Sequence, residues 1–150
     1  MKLSSLAVQE MPDTTATPVQ QKLRLPSGLI GFADFTEAEV VYKASELPFM
    51  WLKGCGTNKC SFIVVEPFSL VKDYEIEISD SDIESLGIKS PTDAMILNIA
   101  TLHKGHKSQI TLNLVGPVII NRRTLEARQV IINNAQKYSA NHLLFEASVQ

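Results

Sequence analysis

Between residues 72 and 79 apolar and polar positions alternate strictly, with Tyr74, Ile76 and Ile78 on one side of an extended chain and Asp73, Glu75 and Glu77 on the other. This pattern predicts a strand with one buried and one acidic face. β-Prone runs at 39–44, 49–53 and 61–66 are separated by Ser45-Glu46-Leu47-Pro48 and by a turn running from Cys55 to Cys60, so three consecutive strands are expected. By the two-residue period Phe49 and Trp51 share a strand face, and an aromatic pair in an apolar strand is expected in the core. The longest strand candidates are 93–102 and 108–121, joined by a glycine-containing hairpin loop, His103-Lys104-Gly105-His106-Lys107. In the second, Ile110, Leu112 and Leu114 alternate with Gln109, Thr111 and Asn113 until Gly116-Pro117 interrupts. Proline cannot donate to a ladder, so the interruption marks a bulge, a bend or an edge.

Residues 121–124 then turn the chain into 126–133, where Ala127, Gln129 and Ile131 are expected to oppose Arg128, Val130 and Ile132. At the other end, 3–9 alternate loosely and the polar turn 11–18 connects them to 19–25 as a first hairpin. Its exit, LPSGLIGF at 25–32, reads as a corner: Pro26 sets one dihedral, Gly28 and Gly31 allow positive φ, and Leu29, Ile30 and Phe32 are directed to the core. Ser81-Asp82-Ile83-Glu84 has capping-box spacing and Gly87 can end a helix of little more than one turn. The tail segment 141–147 fits either a short helix or a strand. Short turns between strands define an all-β, mostly antiparallel fold, a small β-barrel or sandwich with one or two short helices, and disfavour parallel α/β architectures. With 150 residues the chain is expected to form a single domain spanning 1–150.

Composition narrows the function. Fourteen basic against sixteen acidic residues give a net charge of −2, which removes the attraction that drives direct nucleic-acid binding. No apolar run approaches the roughly 18 residues of a membrane span, and the first residues lack a secretory apolar segment, so a cytoplasmic location without membrane contact is expected. A nucleophile elbow, a phosphate loop and a dinucleotide glycine fingerprint are all missing from the sequence. Cys55, Cys60, His103 and His106 could supply four nitrogen and sulfur ligands, and a small metal-binding β-barrel module or enzyme built on them is the alternative reading. Their spacing matches no standard zinc motif, and His103, His106 and His142 are each explained by polar surroundings or by the tail.

The acidic run is the informative feature. Asp73, Glu75, Glu77, Asp80, Asp82 and Glu84 fall within one short segment, suited either to discouraging edge-to-edge pairing or to docking a basic protein.

In chain order, LPSGLIGF, PFMWL, FIVVEPF, KDYEIEIS, NLVGPVIIN and ARQVII resemble the FliW family of flagellar assembly factors. The matched positions are Pro26 to Phe32, Pro48 to Leu52, Val64 to Phe68, Asp73 with Tyr74, Leu114 to Asn121, and Arg128 to Val130, so the likeness covers about 25–130. The chain departs from the pattern in GCGTNKC, residues 54–60, which replaces a polar, acidic loop, and in the longer first connection at 11–19. The resemblance implies a β-barrel-like protein with no cofactor, no small-molecule substrate and no enzymatic activity. Its implied partners are flagellin and CsrA, a dimeric RNA-binding repressor of translation. Flagellin and CsrA would compete for the chain, which antagonises CsrA until unsecreted flagellin occupies it. Under this reading the carboxylates from Asp73 to Glu84 are expected to contact CsrA. Pro67, Phe68 and Asn113, also motif positions, fit structural roles as well as contact roles.

Overall fold

The computed structural model of the chain describes residues 1–3, 21–105 and 107–148. Eleven strands and one α-helix follow in order among them: β1 (Lys2–Leu3), β2 (Gln21–Arg24), β3 (Glu37–Val41), β4 (Met50–Gly54), β5 (Ser61–Val65), β6 (Ile76–Glu77), α1 (Asp80–Leu86), β7 (Ala94–His103), β8 (Lys107–Leu112), β9 (Val118–Asn121), β10 (Ala127–Gln129) and β11 (His142–Ser148). Every pairing between named strands is antiparallel. No helix among the described residues is long and apolar enough to cross a membrane.

The main sheet runs β10-β9-β7-β5-β4-β3-β2, and it curls until its two ends meet. Arg24 and Glu126 form a parallel bridge there, the Arg24 N–H donates to the Leu125 carbonyl, and the two side chains make an ion pair at 3.3 Å. The alternate residues that face inward fill the curl: Leu23, Val40, Leu52, Val64, Leu97 and Ile120 belong to one buried cluster. The period of two dictates this, since each strand can send only every other side chain into the interior.

A second core lies on the outer face of the same strands. Ile96 and Ala100 of β7 pack there with Leu112, Leu114 and Ile119, and the cluster is roofed by Tyr74, Ile76 and Ile78, by Leu86 of α1 and by Val130 and Ile132. Strand β7 thus separates two cores, which is why residues 94–98 are buried without alternation.

Along one edge β7 has two successive partners. Ala94 to Leu97 pair with Asn121 to Val118, whereas Ala100 to His103 pair with Leu112 to Gln109. Between them residues 113–117 leave the ladder. Asn113 accepts from the N–H groups of Val115 (3.1 Å) and Gly116 (2.9 Å), and Gln129 donates to the Gly116 carbonyl. Asn98, fully buried at the hand-over, donates to the Asn113 carbonyl and to the hydroxyl of Tyr74, which itself donates to the Leu114 carbonyl.

The three consecutive strands, the hairpin between β7 and β8, the break at Gly116-Pro117 and the positive φ of Gly28 and Gly31 agree with the sequence reading. The tail is a strand, paired to β8 with a bulge between Leu143 and Phe145. Most of the predicted first hairpin, at 4–20, lies outside the described residues. Of its described ends, Leu3 pairs with Ile76 and Gln21–Arg24 pair with β3.

Four expectations are corrected. In the 25–32 corner Leu29 is buried but Ile30 and Phe32 are exposed, because the tight turn closed by reciprocal Leu29–Phe32 backbone hydrogen bonds turns them outward. Gly28 is required in this turn, since a Cβ there would lie 2.5 Å from the Phe32 carbonyl oxygen. Phe49 and Trp51 share a face, but it is the outer one, and Met50 and Leu52 fill the barrel instead. The helix cap is Ser79 rather than Ser81. Beyond β10 the phase changes: Ala127, Val130 and Ile132 are buried while Ile131 is exposed, because the chain leaves the ladder after Gln129.

Removing the Tyr74 hydroxyl leaves the Leu114 carbonyl without its donor, so Tyr74→Phe is expected to cost about 1–3 kcal/mol in urea unfolding at neutral pH. Burial, the largest cause, raises the Tyr74 phenol far above its ordinary value; the Asn98 hydrogen bond opposes the rise and Tyr138 adds to it. A phenol whose folded pKa exceeds its unfolded value of about 10 contributes stability that is complete below that pH and is lost as pH climbs toward the folded value. Wild-type protein should therefore lose stability above about pH 10 more steeply than Tyr74→Phe, as unfolding midpoints on both sides of that pH will show. Equal alkaline slopes would exclude Tyr74 as the titrating group.

Candidate protein-binding site

Of the six carboxylates marked in the sequence, Glu77 lies on β6, Asp80, Asp82 and Glu84 lie on α1, and Asp73 and Glu75 lie on the chain leading into β6, so the strand expected over 72–79 is paired only at Ile76–Glu77. A polar lattice fixes the β6 backbone from behind. The Glu77 N–H donates to the Asn134 side-chain oxygen, Asn134 donates in turn to the Glu75 carbonyl, and the Asn133 N–H donates to the Glu77 carbonyl. The Tyr138 hydroxyl accepts from the Glu75 N–H at 3.0 Å, and its ring packs edge-on against Tyr74 with centroids 4.9 Å apart. On the opposite side β1 pairs with β6. This clamp turns Tyr74, Ile76 and Ile78 inward and leaves Asp73 and Glu75 in solvent, with Glu77 half-buried. Asp73 adopts a φ of 59°, where the extended run begins.

Charge along the ridge is uneven. Lys2 lies 3.8 Å from both Glu75 and Glu77, an exposed arrangement of small energetic weight. Asp82 is half-buried and held: Arg128 donates to it at 3.0 Å and also reaches the Ser27 hydroxyl, tying α1 to the strand β10 and to the 25–32 corner. Asp73, Asp80 and Glu84 are exposed and make no ion pair with any described residue. Asp80 and Asp82 sit in the first turn of α1, where the helix dipole favours negative charge. The counter-ions Lys2 and Arg128 were missed by the sequence reading because they come from segments far away in the chain; only the matched Arg128-Gln129-Val130 motif pointed at one of them.

The other candidates are dispersed. Cys55 and Cys60 are free thiols in the β4–β5 turn, half-buried and exposed respectively. Asn58 shapes that turn by accepting from the Cys60 N–H and donating to Asp34. His103 hydrogen-bonds Thr111 across β7 and β8, and His106 lies outside the described residues. Among the described residues no group of three or more His, Cys, Asp or Glu side chains is placed to hold a metal ion. The motif residues Pro67, Phe68 and Asn113 have structural roles: the Pro67 carbonyl closes a turn by accepting from Leu70 and Val71, Phe68 packs on the outer core, and Asn113 caps the 113–117 excursion.

One further surface feature escaped the sequence reading. Phe49, Trp51, Ile63, Leu102 and Ile110, with Glu46 beside them, line an open groove of about 350 Å³ on the outer face of the sheet.

A curled, mostly antiparallel sheet with a core on each face and one short helix defines a small half-barrel β protein, here with an acidic ridge and an apolar groove on its surface. A family model described as FliW protein matches residues 8–144. A flagellar assembly factor FliW from Clostridium novyi is 43% identical over 101 residues, covering 67% of this chain and 69% of that protein. One from Treponema denticola is 29% identical over 146 residues, covering 97% and 94%. A crystal structure of the flagellar assembly factor FliW superposes with a TM-score of 0.70 at 30% identity, covering 83% of this chain and 85% of the other. The chain belongs to the FliW family.

The cap assignment is directly testable. Ser79→Ala removes the acceptor of the Asp82 N–H and should cost about 1 kcal/mol by chemical denaturation. Ser81→Ala is expected to stay within about 0.5 kcal/mol of wild type.

Proposed function

We propose that this chain is a flagellar assembly factor that works in the cytoplasm, as one domain, by binding flagellin and a CsrA-type translational regulator in alternation. When flagellin accumulates it occupies the protein and the regulator is free to repress flagellin translation. When flagellin is exported the protein captures the regulator and translation resumes. The function is one of association without a cofactor, a small-molecule substrate or a catalysed reaction. The single observation that carries the reading is the match to the FliW family model across 8–144, supported by curated relatives named flagellar assembly factor.

The acidic ridge is the proposed contact for the regulator. Among the described residues its six carboxylates meet two cations, Lys2 and Arg128, so the ridge keeps a net negative potential suited to a basic RNA-binding partner. Asp80 and Glu84 are the better test than Glu75 and Glu77 alone, because the latter already share Lys2.

Charge reversal at Asp80 and Glu84 should slow association with CsrA about tenfold at low salt, with a smaller effect above about 0.5 M salt, and lower the melting temperature by no more than a few degrees, the cost of a cation at the start of α1. Stopped-flow kinetics and calorimetry at two ionic strengths check this, with Glu75→Lys and Glu77→Lys as a second pair. Unchanged kinetics in all four variants would remove the ridge from the interface. For the function itself, a pull-down from native lysate should recover both partners, and added flagellin should displace the regulator. Recovery of neither would overturn the reading.

A further inference from the structure

The groove belongs to a longer feature. Cross-strand register places Trp51 opposite Ile63, Leu102 opposite Ile110, and Ile110 opposite Phe145. Ile63 itself pairs with Ala100, two residues short of Leu102 on the same face, so an apolar stripe crosses β4, β5, β7, β8 and β11 on the outer face obliquely, stepping two residues along the strands between β5 and β7. Ile63 and Ile110 rest half-buried on the outer core, but three members stand out from it: Trp51 is 38% exposed, Leu102 48% and Phe145 55%. Contiguous exposed apolar side chains on a small domain mark a surface that another molecule covers.

From this we infer that the stripe is a docking groove for one amphipathic helix of a partner protein, with a Lys or Arg placed to meet Glu46. Three observations select that occupant. Four strand spacings of about 4.8 Å give a stripe of roughly 19 Å, the length of a helix of about 13 residues. An extended segment would run along the strands; added to β11 it would reach Phe145 and leave Trp51, about 19 Å away, uncovered. Glu46, in the 3₁₀ turn Ala44–Glu46, is, among the described residues, the one charged residue lining the groove, and it has no ion pair with any of them. An apolar helix that closed over it without a cation would leave a desolvated carboxylate unpaired, whereas a Lys or Arg on the helix flank satisfies it. A second copy of the chain, pairing stripe on stripe, supplies no cation from the stripe itself. The inference concerns a different face from the acidic ridge and stands apart from the identity of the partners proposed above.

Trp51 is the chain's single tryptophan, so its emission reports on the stripe directly. The probe is a synthetic helix of about 14 residues with Leu at i, i+4, i+7 and i+11 and Lys on the flank. It is titrated into the full chain beside a sequence-scrambled peptide and an alternating, strand-forming peptide of the same composition. The helical peptide should give a saturable blue shift and the controls none. Leu102→Asp should weaken binding about tenfold or more, with Phe145→Ser as a second variant should the first unfold. Glu46→Lys should weaken binding about threefold or more and favour a peptide carrying Glu instead of Lys. Absence of a saturable shift, or equal binding of scrambled or strand peptide, overturns the proposal. An emission shift that follows protein concentration, with sedimentation as a dimer, assigns the stripe to self-association and overturns it as well.

Discussion

The fold turns on the hand-over of one edge of β7 from β9 to β8. Extrapolated from the β9 register, Asn98 faces Pro117, which has no N–H to give, so the ladder must stop there. The chain between the two strands is forced out of register inside the protein, where unpaired peptide groups are costly. Asn113, Gln129, Asn98 and Tyr74 meet that demand with side-chain hydrogen bonds. Main-chain bonds complete it, the Val130 N–H donating to the Pro117 carbonyl and the Ile132 N–H to that of Val115.

Both surfaces follow from this break. Because β9 closes the barrel while β8 continues along the far half of β7, β8 and β11 extend the sheet beyond the curl and carry Ile110 and Phe145 onto the same outer face as Trp51 and Ile63, two residues further along the strands. Through its main-chain bonds to Val130, Ile132 and Ser139 the excursion also fixes both ends of the 130–139 segment, whose Asn134 and Tyr138 hold the backbone of β6 and so set the acidic ridge. A single proline-imposed interruption thus positions an apolar face on one side of the outer core and a charged one on the other.

What the sequence disclosed and withheld has a common cause. Where one face is wet and one buried, as at Tyr74, Ile76 and Ile78, alternation alone identified the inward side. Where both faces are apolar, as in β4, alternation separated Phe49 and Trp51 from Met50 and Leu52 without saying which pair lies inside. A barrel wrapped by a second core makes both faces apolar, so the error at Trp51 and the unnoticed stripe are the same error. The helix cap was misplaced by two residues because Ser79 and Ser81 both precede an acid at suitable spacing, and only the φ/ψ of the chain distinguishes them. Ile30 and Phe32 were misjudged because a turn closed within four residues has no strand period to follow.

The ridge and the stripe do not touch, yet they rest on one core. Tyr74, Ile76 and Ile78 beneath the ridge belong to the same packed cluster against which Phe49, Ile63 and Ile110 of the groove lie, and the Tyr74 hydroxyl reaches both Asn98 and Leu114 at its centre. Such interiors are close-packed, so a displacement of the β6 backbone cannot be absorbed by empty space beneath it. If the proposed partners occupy the ridge and the groove, exclusion between them would have two physical sources: overlap of their bulk, or a change in this shared cluster that each partner biases. In the second case the coupling is reciprocal, each partner weakening the other by the same factor, whereas bulk overlap blocks simultaneous binding altogether. A saturating, incomplete mutual weakening is the signature of the core, and total exclusion the signature of overlap.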